Sequence, residues 1–196
     1  MIHLFVMIAI LYNKPVNTVT THRDQVDQQC AATRRTVYES IDLPDEICRQ
    51  SLHAVGRLDV KTSGLLILTD DGNLVHQISN PSSPGVRVLK TYRALCMNVL
   101  SREQIHALRA GVDLQGGLGL SAPASVDVVE VLHKKTVLDI TISEGKNRQI
   151  RRMLHSIGSG VMRLERRQIG HLTLDGIEES GSWRILADRE IQDLLM

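Results

Sequence analysis

GRLDVKTSGLLILTDDG, residues 56–72, carries a single carboxylate, Asp59, just ahead of a run that turns sharply apolar and closes on the turn pair Asp71-Gly72. Leu65 to Thr69 is continuous, apolar and of strand length, the pattern of a strand buried on both faces. Before it, LHAVG at 52–56 reads as a strand edge that delivers the chain to Arg57-Leu58-Asp59. A carboxylate after a strand is ordinarily a turn former. Whether Asp59 is also a reagent depends on what the rest of the chain supplies.

Upstream, MIHLFVMIAILYNKP has neither a basic leader nor a small-residue cleavage site. It is also shorter than the about 20 apolar residues that span a bilayer. It predicts a buried first strand ended at Asn13-Lys14-Pro15, because proline cannot donate to a ladder. Residues 17–36 are polar and aperiodic and predict a long surface loop, followed by a short amphipathic piece at VYESI and a turn at LPDEI into a second short element.

Downstream, NLVHQISN predicts a helix that stops before Pro81, and VLKTYRALCMNV (88–99) a strand. SREQIHALRAG (101–111) predicts a helix with Ser101 and Gln104 as a capping box and Gly111 at its end. After a glycine-rich turn region, ASVDVVEVLH and KTVLDITIS predict a hairpin around His133-Lys134-Lys135, each arm with one buried face. EGKNRQIRRMLHSIG (144–158) predicts a helix ended by Gly158, with Ile150, Met153, Leu154 and Ile157 on one face and Arg148, Arg151, Arg152 and His155 on the other. VMRLERRQIG and HLTLDGI read as strands, and SWRILADREIQDLL as a strand edge and a C-terminal helix beginning near Asp188. Strands and helices mixed without regular βαβ alternation predict an α+β domain with a mixed, mainly antiparallel sheet.

Composition narrows the function. With 196 residues, 42% of them hydrophobic, the chain can bury a sizeable core as one domain. Its three cysteines form no CxxC pair and its eight histidines no metal-ligand spacing, so neither a disulfide framework nor a metal site is expected, and a reducing compartment is: the cytoplasm, or an organelle if a targeting segment lies outside these residues. Net charge is only +1, yet the window from Lys146 to Arg167 holds seven Lys/Arg against one acid, Glu165. Such segregation is the footprint of phosphate-backbone binding, although an isolated basic helix face is as often merely solvated. Aromatic content of 3% argues against a broad platform for stacking single-stranded bases.

GRLDVKTSGLLILTDDG resembles the catalytic motif of the ribosomal RNA pseudouridine synthases of the RsuA/RluB/RluE/RluF type: G-R-L-D, then T/S-x-G-L-L-x-L-T-x-D-G. LYNKP (11–15), LKTYRA (89–94), EGKNRQIRRM (144–153), RLERRQIGHLTLDG and GSWRILADREI resemble further family segments in the same order, so the likeness runs from about residue 8 to 195. It implies the pseudouridine synthase catalytic fold, as a single domain of two sub-halves sharing one sheet with the active-site cleft between them. It also implies an isomerase that breaks the N1–C1′ bond of a uridine in RNA, turns the uracil and joins C5 to C1′, without cofactor or metal.

By that resemblance Asp59 is the essential carboxylate, as a nucleophile at C1′ or as a base on a glycal route, and both remain open. Arg151, in RQIR, matches its cationic partner, and a cation favours the ionised carboxylate. Tyr92, of K-T-Y, matches the tyrosine that packs on the target base and is a candidate for proton transfer at C5, with Leu164 on the other side. Arg57 matches the arginine that fills the space left when the uridine is extruded. Lys90, Lys146, Arg148 and Arg152 match RNA-binding positions, read as phosphate ligands that position RNA without reading its sequence. The implied partners are ribosomal RNA or an assembling ribosomal subunit, with no membrane, and a monomer is expected.

Many relatives carry an S4-type RNA-binding module ahead of the catalytic part. None is visible in these 196 residues, which fits the RluE-like architecture or a chain truncated upstream. Two other functions fit these residues less well. A catalytically inactive RNA-binding or ribosome-assembly factor is disfavoured because Asp59, Tyr92 and Arg151 are all present. A glycosidase needs two carboxylates, and Asp70 and Asp71 sit in a turn outside any equivalent motif.

Overall fold

The computed structural model describes residues 7–21, 34–79 and 88–196. Its elements in chain order are β1 (Ala9–Lys14), α1 (Val37–Ser40), β2 (His53–Val55), β3 (Ser63–Thr69), α2 (Gly72–Ser79), β4 (Lys90–Cys96), α3 (Arg102–Ala110), β5 (Ser125–Leu132), β6 (Lys135–Ile142), α4 (Gln149–Ser156), β7 (Val161–Ile169), β8 (Leu172–Thr173), β9 (Trp183–Ile185) and α5 (Asp188–Leu195). The chain divides into two compact units, Met1–Val86 with Leu174–Met196, and Arg87–Thr173. This is the α+β class, and the strand pairings within each unit are antiparallel.

In the first unit β3 pairs with both β1 and β2, and β1 pairs with β9. Every residue of β1 and of β3 is buried, as expected of their unbroken apolar runs. Ile10, Tyr12, Leu66 and Leu68 form one core with Val37 and Tyr38 of α1 and with Ile41, Leu43, Ile47 and Leu52. Thr36 and Glu39 make a full capping box at the start of α1, which lets a four-residue helix hold its place. LPDEI forms turns and no second regular element. Those turns still supply core through Leu43 and Ile47, so burial here does not require periodic structure.

In the second unit the strand order is β5-β6-β4-β7, with β8 on β7. Alternate residues of β4, β6 and β7 share one core with Leu108 of α3 and with Ile150, Met153 and Leu154 of α4. α3 has the expected Ser101/Gln104 box and ends at Gly111. The hairpin of β5 and β6 turns at His133 and Lys134, with Lys135 already in β6. β6 alternates as predicted, but β5 buries only Val126 and leaves Val129 and Val131 at 46% and 61% exposure. β5 lies at the end of the strand order and bulges between Val128 and Glu130, which breaks the alternation that a flat edge would keep.

Two other expectations change. The ends of the predicted surface loop at 17–36 are tied down: Thr18, Thr20 and Thr36 are buried and Val19 bridges Thr36. Its middle, 22–33, lies outside the described residues, as does the predicted stop of α2 before Pro81. The basic helix starts at Gln149, five residues later than the sequence pattern suggested. Arg148 is its N-cap in left-handed backbone geometry (φ 51°).

Candidate active site

The first unit presents Asp59 from a loop whose main chain is bonded on every side. Arg57-Leu58-Asp59 runs between β2 and a turn, and burial of Leu58 directs its two neighbours away from the core: Arg57 is exposed and Asp59 half-exposed. Thr20 Oγ1 both donates to the Leu58 carbonyl (2.9 Å) and accepts from the Leu58 N–H (3.3 Å). Asn17 N–H donates to Val60 O at 2.7 Å, and Thr62 N–H closes the turn on Asp59 O at 2.9 Å. Lys14, wholly buried at the end of β1, reaches under the turn to Thr62 O at 3.0 Å.

Gly64 follows with φ 101°, a conformation side-chain-bearing residues rarely adopt, which accounts for the glycine of TSGLL. The apolar run and LYNKP therefore act together, since β3 anchors the loop and the end of β1 buttresses it. Arg57 also borders a cavity of about 350 Å³ with Thr20, Tyr38, His53, Gly56 and Gly72.

The two other nearby carboxylates have structural bonds. Asp70 Oδ1 accepts the Ile8 N–H at 2.9 Å, and Asp71 Oδ1 accepts the Asn73 N–H at 2.8 Å where α2 begins. Both are thus engaged in holding the backbone, whereas a two-carboxylate glycosidase requires a second working acid.

In the second unit β4 carries Lys90 and Tyr92 on the face that bears Ala94 and Cys96, the face covered by α3 and α4. Tyr92 is half-buried against the core cluster. Leu164, paired with Ala94 across β7, lies on the same face diagonal to Tyr92, but is itself a core residue at 4% exposure. A base that touched Leu164 would meet only its edge. Arg166, directly opposite Tyr92, is also buried, at 3% exposure, with its guanidinium 6.0 Å from the ring centre. The sequence reading placed Arg166 among the phosphate-binding cations. Two signals marked it as different: it shares strand parity with Leu164, and it alternates with Arg163, Glu165 and Arg167.

The basic segment is less free than its charge count implied. Lys146 Nζ donates to Leu120 O at 2.7 Å and lies 3.5 Å from Glu144 Oε2. Glu144 also accepts from Gln149 Nε2 and from the Ala122 N–H. Arg152 donates to the carbonyls of Asn147 and Leu114 at 3.1 and 3.3 Å. Arg148 and Arg163 are exposed. Arg151 is half-exposed on the flank of the apolar stripe, one residue after Ile150. Lys90 is pushed below its ordinary value by burial and by the charge of Arg166, and its Nζ donates to Val88 O.

The profile of the RNA pseudouridylate synthase family matches residues 8–156, which holds Asp59, Tyr92 and Arg151. The chain belongs to this family. It is 34% identical over 185 residues to the ribosomal small subunit pseudouridine synthase A of Vibrio cholerae, covering 94% of this chain and 73% of that one. It is 36% identical over 193 residues to an uncharacterized RNA pseudouridine synthase of Mycobacterium bovis, covering 96% and 69%. A pseudouridylate synthase crystal structure superposes with a TM-score of 0.82 at 30% identity, over 99% of this chain and 76% of that one. The family makes the protein an RNA-acting isomerase. Among the described residues no helix is long and apolar enough to cross a membrane.

Proposed function

We propose that the enzyme converts a specific uridine of ribosomal RNA to pseudouridine, with small-subunit RNA as the first substrate to test. The relatives named as ribosomal small subunit synthases support this choice. In this reading Asp59 is the reacting carboxylate, Arg151 its cationic partner, and Tyr92 the group that holds the detached uracil and moves the proton at C5. Arg57 takes the place of the extruded uridine, and Leu164 offers an apolar edge to the base. Lys90, Lys146, Arg148 and Arg152 bind phosphates. The enzyme works as a monomer and as a single catalytic domain. Its workplace is the cytoplasm, where bacterial ribosomal RNA matures.

The observation that carries the reading is the Asp59 loop. Catalysis at a sugar carbon needs a carboxylate held within about 0.5 Å of its working position. A half-exposed aspartate whose loop is hydrogen-bonded at Leu58, Asp59, Val60 and Thr62 meets that need. Binding energy for extruding the base comes from the cations, which position the RNA backbone and leave sequence choice to loops.

Mapping pseudouridines in ribosomal RNA from cells with and without the gene tests the assignment. One small-subunit site lost on deletion and restored by the wild-type gene, but not by Asp59→Asn, is the expected result. Restoration by Asp59→Asn would instead indicate a catalytically inactive RNA-binding or assembly role.

A further inference from the structure

The geometry points to Arg166 as a positioning residue that fixes the ring and the hydroxyl direction of Tyr92. This rests on the proposal that Tyr92 meets the uracil. The strand register is the first observation. Thr91 pairs with Gln168 but Tyr92 with Arg166, so β7 bulges at Arg167. Arg166 keeps the core-facing parity of Leu164, which sets it beside Tyr92, and the bulge takes up Arg167, so that Arg163 and Arg167 stay exposed.

Burial of a guanidinium at 3% exposure is the second. Removing such a charge from water is costly, and an apolar residue of similar size would fit a strand interior more readily. Arg166 lies 6.0 Å from the Tyr92 ring centre and Nη1 donates to Tyr92 Oη at 3.4 Å. Arginine has donors only. The bond is therefore one-way: it occupies a lone pair of the phenol oxygen and leaves the O–H proton directed elsewhere. A tyrosine that merely stacked on a base would need no such partner, whereas one that presents its proton to a uracil gains a fixed direction from it. Lys90, on the same face, is lowered by burial and by the Arg166 charge.

A double-mutant cycle in single-turnover assays at saturating RNA tests the inference. Arg166→Met should slow pseudouridine formation about tenfold or more while the RNA dissociation constant changes less than about threefold. In a Tyr92→Phe background the same substitution should cost little further, and Arg166→Lys should recover only part of the rate because it keeps the charge without the planar fork. Equal losses in the two backgrounds, or a dissociation constant that rises in step with the lost rate, would overturn the inference and make Arg166 a phosphate ligand or a structural group. Should Arg166→Met not fold, as judged by thermal melting, the same comparison is made with Arg166→Lys. If Tyr92→Phe and Asp59→Asn are both fully active, the reading of the site fails first.

Discussion

Lys14 Nζ donates to the carbonyl oxygen of Thr62 at 3.0 Å and to that of Pro15 at 2.8 Å, from a side chain with no exposed surface. One long side chain thus joins the end of the first strand to the turn that carries Asp59. Lys14→Met keeps the length and removes the donor, which costs about 1–3 kcal/mol at the buried Thr62 carbonyl, while Pro15 O keeps its bond from Thr18 Oγ1. The expected result is a lower melting temperature, together with a fall in turnover larger than the fall in RNA affinity.

Arg148 separates backbone strain from side-chain function. It holds φ 51° at the N-cap of α4 without a side-chain cap bond, so glycine there relieves strain and aspartate-type capping is not lost. Arg148→Gly should stabilise the fold by up to about 1 kcal/mol. It should also weaken RNA binding and lower the salt slope by about 1. Thermal melts and binding titrations across a salt series read the two effects independently.

Arg152 should behave differently from Arg148, although both count equally in the sequence. Its guanidinium is bonded to two carbonyls, so Arg152→Ala should lower stability by about 0.5–1.5 kcal/mol per bond as well as weaken RNA binding. Denaturant unfolding of Arg148→Ala and Arg152→Ala side by side checks this, and equal stability would remove the structural role.

Alkaline pH provides another test. Burial pushes the Cys96 thiol from 9.0 up to about 11 and the Tyr12 phenol from 10.0 up to about 12. Both are neutral when protonated, and the fold keeps protons that the unfolded chain has lost. Stability therefore falls as pH rises from about 9 for Cys96 and from about 10 for Tyr12. The Tyr12 hydroxyl has no hydrogen-bond partner among the described residues. Tyr12→Phe should then raise stability at pH 7 by up to about 1 kcal/mol and flatten the decline above pH 10, as read from melting temperatures.

Much of the fold was legible because it rests on local signals. The Ser101/Gln104 box, the apolar run Leu65–Thr69, the stop at Pro15 and the start of α5 near Asp188 each depend on a few adjacent residues. The errors lie where tertiary context decides. β5 alternates in sequence, yet a bulge and an end position expose it. The cationic periodicity from Arg148 suggested more helix than forms, because the preceding residues are held by Glu144 and Gln149 in a non-helical turn.

At the candidate site, the resemblance of the motifs named the residues but not their surroundings. A count of charges cannot distinguish Arg166, buried on the core face beside Tyr92, from exposed Arg167 next to it. Nor could the sequence show that Lys14, 48 residues before Thr62 in the chain, supports the loop in space, since contact between β1 and β3 is a product of the pairing register.

Release of tritium from 5-tritiated uridine in small-subunit ribosomal RNA tests the central claim most directly, because C5 loses its hydrogen only when it bonds to C1′. Release by the wild-type enzyme that vanishes in Asp59→Asn, with RNA binding retained, is the expected result. Release that persists in Asp59→Asn, or none from any ribosomal RNA with the wild type, would contradict the account.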